Sequence, residues 1–264
     1  MLSSRIYLII ISMRTRGKKR HLYVVAGAML FILMFLFPGR MGKEIVSLQE
    51  LITPSEPTVI KSEPVAEKTT ENIEPTIPPE KLLTVPFVLQ APFGIWDPLH
   101  EDACEEASIL TIIHFFAKDK SVTKEKMESE IQELVAWEEE HSYGPSITLD
   151  DLGKIGQAFY KLSGYRVIPV SSTEDMKKEI AKGNPVIVPA AGKILPNPNF
   201  QNGGPNYHML VVKGYTQTEF ITNDPGTRKG EGFVYTYDGL FNAIHDWNSN
   251  NILNGEKAIL VFEK

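Results

Sequence analysis

His100-Glu101-Asp102-Ala103-Cys104-Glu105-Glu106-Ala107-Ser108-Ile109-Leu110-Thr111-Ile112-Ile113-His114-Phe115-Phe116-Ala117 turns a polar, acidic loop into a segment that is apolar almost all round from Ile109 to Phe116. Only Thr111 and His114 interrupt it. A helix with no polar face belongs inside a core, so Ala103 or Cys104 to Ala117 is predicted to be the central helix of its domain. The reading also puts the chain's one cysteine, Cys104, at the helix start. There the unpaired N–H groups and the helix dipole favour thiolate, the reactive form of the side chain. A single cysteine forms no intramolecular disulfide, and taken alone it is more often a small core residue than a nucleophile. Its role depends on what the rest of the chain brings to it.

Downstream, helices come first and strands follow. Thr123 to Glu139 sets Met127, Ile131, Leu134 and Val135 on one face, with Glu and Lys on the other. Thr148-Leu149-Asp150-Asp151 opens a third helix in the manner of a capping box, and Leu152, Ile155, Phe159 and Leu162 continue it at helical spacing to Gly164. Strands are predicted at Tyr165 to Val170, Val186 to Pro189, His208 to Tyr215, Glu219 to Asn223, Phe233 to Tyr237 and Ala258 to Phe262. Short helices are expected over Thr173 to Lys182 and Asp238 to His245. This segregation predicts an α+β domain over residues 82–264, not alternating βαβ units. The one long irregular stretch, Gly192 to Asn206, lies directly before His208, and loops of that length in a compact domain commonly serve function.

His208 begins a strongly apolar strand, which anchors it while the preceding loop leaves it at a cleft mouth; a general base needs both. Asp224 ends the next predicted strand in Asn223-Asp224-Pro225-Gly226. In adjacent antiparallel strands the start of one lies beside the end of the other, so this carboxylate can meet the His208 ring. Each has a bland reading: a histidine at a strand start is usually structural, and Asp before Pro-Gly is ordinary turn chemistry. Cysteine, histidine and aspartate in this joint order are the activated nucleophile, base and orienting acid of acyl transfer.

The same segments carry a family resemblance. Val85-Pro86-Phe87-Val88-Leu89-Gln90-Ala91-Pro92-Phe93-Gly94-Ile95-Trp96-Asp97, Ala103-Cys104-Glu105-Glu106-Ala107-Ser108, Tyr207-His208-Met209-Leu210-Val211-Val212 and Asn223-Asp224-Pro225-Gly226 resemble the bacterial peptidase C39-like group, relatives of the bacteriocin-leader-processing cysteine peptidases. The resemblance covers most of residues 82–264. It implies a papain-like cysteine hydrolase domain with its N-terminal central helix packed on an antiparallel sheet, and no cofactor. It also implies roles: Cys104 attacks a carbonyl, His208 takes its proton, Asp224 holds the imidazole, and Gln90 supplies an amide to the oxyanion hole beside the Cys104 N–H. Glu105 departs from the usual Cys-Gly. The transporter and nucleotide-binding segments of the exporters are lacking, so leader cleavage coupled to export does not carry over.

Outside this domain, residues 1–43 carry 8 bases and no acid, which leaves 19 bases against 33 acids, a net −14, for the remainder. A body so acidic lacks the clustered cations that nucleic-acid phosphate requires, so no nucleic-acid partner is expected. Leu22 to Phe37 is an unbroken apolar run behind Arg14, Arg16, Lys18, Lys19 and Arg20. It reads as one transmembrane helix, residues 22–38, with a basic cytoplasmic end, residues 1–21. No small-residue cleavage site follows, which favours an uncleaved signal anchor over a cleaved signal peptide. The catalytic domain is then expected on the extracytoplasmic side of the cell membrane. Residues 39–81, rich in Pro, Glu and Thr, read as a disordered spacer.

The expected function is a peptidase or amidase acting on a peptide or cell-wall peptide through a thioester. The alternatives are a transpeptidase or transamidase on the same fold, and a non-catalytic binding module that retains the cleft. His100 is a rival base for Cys104. A zinc site from Cys104, His208 and Asp224 has suitable ligand types but no paired ligand spacing, so no metal is expected.

Overall fold

A computed structural model describes residues 77–264. The expected basic end, membrane anchor and most of the spacer lie outside the described residues. Among those described, no helix is long and apolar enough to cross a membrane.

The chain forms β1 (Lys81–Leu82), α1 (Pro98–Asp102), α2 (Cys104–Ala117), α3 (Lys124–Glu140), α4 (Leu149–Ala158), β2 (Gly164–Pro169), α5 (Thr173–Ala181), β3 (Val186–Ala191), β4 (Tyr207–Tyr215), β5 (Glu219–Asn223), β6 (Glu231–Thr236), α6 (Tyr237–Ala243) and β7 (Ala258–Glu263). The strands make one antiparallel sheet in the order β2-β7-β3-β4-β5-β6, with β1 added at the Gly214–Tyr215 end of β4. The fold is α+β.

β4 shows why this order holds. Its residues alternate between two buried faces: Met209 and Val211 meet Ile109 and Ile112 of α2, while Leu210 and Val212 meet Met176 and Ile180 of α5 and Leu240 of α6. A strand covered on both sides must be apolar throughout, as His208 to Tyr215 nearly is. The remaining side of α2 is also covered, because Ala107 and Leu110 pack with Met127 and Ile131 of α3. That double burial accounts for the missing polar face.

Thr123 and Thr148 cap α3 and α4 through their side chains, accepting from Lys126 N–H and Asp151 N–H. Each such cap contributes about 1 kcal/mol. α4 stops at Ala158, short of the expected Leu162. Lys161 takes a left-handed φ of 59° and the Leu162 N–H turns back to the Gly156 carbonyl at 3.1 Å. The apolar side chains beyond the helix still pack: Phe159 meets Tyr160 edge-on at 4.8 Å. At the other end of the domain, residues 77–81 are tied to the sheet, with Ile77 against the α5 face and the Pro78 carbonyl accepting from the Tyr215 hydroxyl at 3.0 Å.

Candidate active site

The start of β4 and the residue after β5 meet as the strand order requires. His208 Nε2 lies 2.8 Å from Asp224 Oδ1. Asp224 is fully buried, yet every lone-pair direction is met: Oδ1 also accepts from the Gly226 N–H at 3.0 Å, and Oδ2 accepts from the Tyr235 hydroxyl at 2.6 Å and Asn197 Nδ2 at 2.9 Å. Burial alone raises a carboxyl pKa, but the His208 ring and these hydrogen bonds outweigh it and hold Asp224 below the usual carboxylate range. The pair is therefore a fixed carboxylate with an imidazole locked onto it. Close approach depends on Gly226: a Cβ there would stand 2.9 Å from His208 Cε1 and 3.1 Å from the Phe200 ring. Phe200 closes the other side of the imidazole edge-on at 5.2 Å. With Nε2 engaged, Nδ1 is the ring atom left for a reacting group.

His208 stands in the wall of a cleft of about 720 Å³, shared with Gln90, Trp96, Phe200 and Gly226. Gln90 reaches it because its segment is laced to the end of β5. Asn223 Nδ2 donates to the Pro86 carbonyl at 2.8 Å, and the Gln90 N–H donates to the Pro225 carbonyl at 3.3 Å. The Gln90 side-chain amide donates to the carbonyls of His100 and Glu101 at 2.9 and 3.4 Å, while its Oε1 is buried without a partner. In this orientation its N–H groups bind the backbone ahead of Cys104, away from a substrate oxyanion.

Cys104 opens α2 as expected, on the Tyr207 and Met209 side of β4, and is 4% exposed. Its thiol donates to Glu105 Oε2 at 2.8 Å, and Glu105 Oε1 accepts from the Ile147 N–H at 3.4 Å. The thiol and the His208 ring share no hydrogen bond among the described residues; the structure joins His208 to Asp224 and Cys104 to Glu105. Burial pushes the thiol well above its ordinary value, the Glu105 charge and hydrogen bond add to that, and Glu106 adds more. The Met209 N–H, next along from His208, pulls the other way. Behind the thiol the acids continue. Burial and the neighbouring Glu106 raise Glu105 well above its range, and burial followed by Glu106 lifts Glu138 to about 11. Buried carboxyls without a cation relieve their repulsion by holding protons more tightly.

The rival base is engaged elsewhere. His100 Nδ1 lies 2.7 Å from Asp97, the cap of its own helix, and its Nε2 lies 3.0 Å from Glu128 of α3, so both ring nitrogens are engaged. His114 does the same farther along, between Asp119 and Glu130 at 2.7 Å each. Among the described residues no group of three or more His, Cys, Asp or Glu side chains is arranged to hold a metal ion.

The model of the Peptidase_C39 like family matches residues 82–252. The chain belongs to the Peptidase_C39 like family. Among solved structures, this member of the family is similar to a C39-like peptidase structure from Bacillus anthracis, at 15% identity and a TM-score of 0.47, over 70% of this chain and 98% of that one. It is also similar to digestive procathepsin L 3 of Tenebrio molitor larval midgut, at 11% identity and a TM-score of 0.38, over 73% and 72% of the two chains. No curated protein matches the sequence. Beyond the family motifs, the structure adds Asn197 and Tyr235 as the outer partners of Asp224; Asn197 Nδ2 donates to both the carboxylate and the Tyr235 oxygen, each at 2.9 Å. Asn197 lies in the Gly-, Asn- and Pro-rich loop that the sequence marks as functional, whereas Tyr235 has no local signal.

Proposed function

We propose that this C39-like domain is a cysteine peptidase or amidase that cleaves a peptide or cell-wall peptide through a thioester, with Cys104 as nucleophile, His208 as base and Asp224 orienting the ring. Cys104 Sγ bonds to the carbonyl carbon as its proton passes to His208 Nδ1; the C–N bond then breaks and the amine leaves with that proton. Water adds to the thioester, gives one proton back through His208, and releases the acid and the free thiol. The Cys104 N–H, in the first turn of α2, and a rotated Gln90 amide would hold the oxyanion. The observation that carries the reading is the buried His208–Asp224 pair, held in the cleft wall with Nδ1 unspent. The apolar run after the basic cluster supports a single-pass anchor with the domain on the extracytoplasmic side.

A second reading, a binding module that keeps the cleft, is favoured by the thiol's bond to Glu105 and by the turn of the Gln90 amide away from the cleft. Turnover of a peptide and muropeptide library by the full chain separates the two. Cleavage lost in Cys104→Ala supports the peptidase; equal rates in wild type and Cys104→Ala, or no turnover of any member, would refute it.

A further inference from the structure

The cleft carries charges of both signs. Lys193, Arg228 and Lys229 line it from the loops after β3 and β5, and Glu101 and Asp102 line it from the segment ahead of Cys104. All five are exposed, and among the described residues none has an oppositely charged partner within ion-pair distance. Of the other bases, Lys154 meets Asp150 and Asp151, Arg166 meets Glu179 and Glu263, and Lys182 meets Glu179, whereas Lys118, Lys120, Lys124 and Lys161 are as unpaired among the described residues as the three in the cleft. What sets Lys193, Arg228 and Lys229 apart is that all three converge on one cleft, in a chain that carries net −14 beyond Lys43.

Two of the cations are also positioned. The Arg228 guanidinium lies over the backbone of Gly94, where a Cβ would come within 2.9 Å of Nη2, so it bridges the 225–230 turn and the 91–96 turn at the mouth. Gly94 has φ of 71°, which favours glycine and leaves that surface bare for the guanidinium. Lys193 Nζ donates to the Asn202 carbonyl at 3.1 Å, which holds the ammonium within the loop that faces His208. Trp96, 40% exposed, adds apolar surface to the same lining.

We infer that the substrate is a dipolar peptide, with a carboxylate docking on Lys193, Arg228 and Lys229 and an ammonium facing Glu101 and Asp102. The inference deepens the peptidase reading, and it concerns recognition alone. An acidic group alone would be repelled by Glu101 and Asp102, and a basic one by Arg228. A peptide carrying both signs across the scissile region matches both, and Arg228 offers the fork geometry that suits a carboxylate.

The test measures binding apart from turnover. Full-length Cys104→Ala protein is titrated, by fluorescence anisotropy, with labelled peptides of one scaffold that carry Glu and Lys, Gln and Lys, Glu and norleucine, or neither charge. The Glu and Lys peptide is expected to bind about tenfold more tightly than either singly neutralised form. In the Arg228→Glu/Lys229→Glu variant that preference for Glu over Gln is expected to vanish while the preference for Lys over norleucine persists. Added salt is expected to weaken the preferred peptide most. Equal affinities across the set, or a Glu preference that survives the double charge reversal, overturns the inference. Because Cys104 is absent from this assay, a peptidase that fails to turn over and a cleft that fails to discriminate charge are separate outcomes.

Discussion

Replacing Glu105 by Gln changes one atom and inverts the bond to the nucleophile. In the native chain Oε2 accepts the thiol proton at 2.8 Å, and while Glu105 is ionised this bond opposes thiolate formation. In Glu105→Gln the side-chain carbonyl oxygen can keep the Ile147 N–H, while the new amide donates to sulfur and favours thiolate. A hydrogen bond to a charged group contributes about 1.5–3 kcal/mol. Its loss from the thiol form multiplies the thiolate fraction by about 10- to 150-fold at a pH below the thiol's titration. A less basic thiolate is also a weaker nucleophile, with a Brønsted slope of about 0.4–0.5, which reduces the gain in reactivity to about 3- to 20-fold. The assay is the second-order rate of iodoacetamide alkylation across pH, with the melting temperature as a check on folding. The profile of Glu105→Gln is expected to rise at lower pH than that of wild type. A superimposable profile, or one shifted to higher pH, would refute the reasoning; the second result would mean that the carboxyl, whose hold on a proton burial and Glu106 strengthen, donates to the sulfur in the native chain.

The same geometry sets the outcome of three further substitutions. Asp224→Asn should lower kcat by about 10³- to 10⁴-fold, the scale seen when the orienting acid of a serine triad is neutralised. Tyr235→Phe, which removes one of the hydrogen bonds to Asp224, should lower kcat by only about tenfold; equal losses in the two variants would deny Asp224 its direct role on the ring. Glu138, lifted by burial and Glu106 from 4.5 to about 11, gives a stability term that is full below about pH 4.5 and is lost as pH rises toward its folded value, because the folded state binds more protons there. The melting temperature should therefore fall from about pH 5 to 9, and Glu138→Gln should flatten that fall, as calorimetry at several pH values will show.

Much of the frame could be read before any coordinates, for reasons that particular residues make plain. The start of α2 at Cys104 followed from the change between a polar loop and an all-apolar run. The ends of β4 and β5 followed from a double-faced apolar strand and an Asn-Asp-Pro-Gly turn. Because β4 and β5 are consecutive and antiparallel, the contact between His208 and Asp224 needed only local pattern and one topological step. Tyr235 is different: it reaches Asp224 through the pairing of β5 with β6, and a tyrosine among alternating strand residues carries no mark of that use. The direction of Glu105 was equally hidden. In the first turn of a helix a side chain can point to solvent or inward, and here the Ile147 N–H, 42 positions away, selects the inward rotamer.

On the proposed reading, the first step of catalysis is an exchange of hydrogen-bond partners by a single side chain. Glu105 does not have to move, since its Oε1 keeps the Ile147 N–H, and His208 does not, since Asp224 fixes its ring. The proton-bearing sulfur has to leave Glu105 and turn toward the His208 ring at the start of β4. Exchanging one hydrogen bond for another costs about 1 kcal/mol net. That is small beside the barrier of amide cleavage, so a neutral thiol parked on a buried carboxyl group is compatible with turnover. It also gives Glu105 a function that a glycine could not supply: a resting thiol with low reactivity toward oxidants until a substrate carbonyl in the cleft draws the sulfur toward His208.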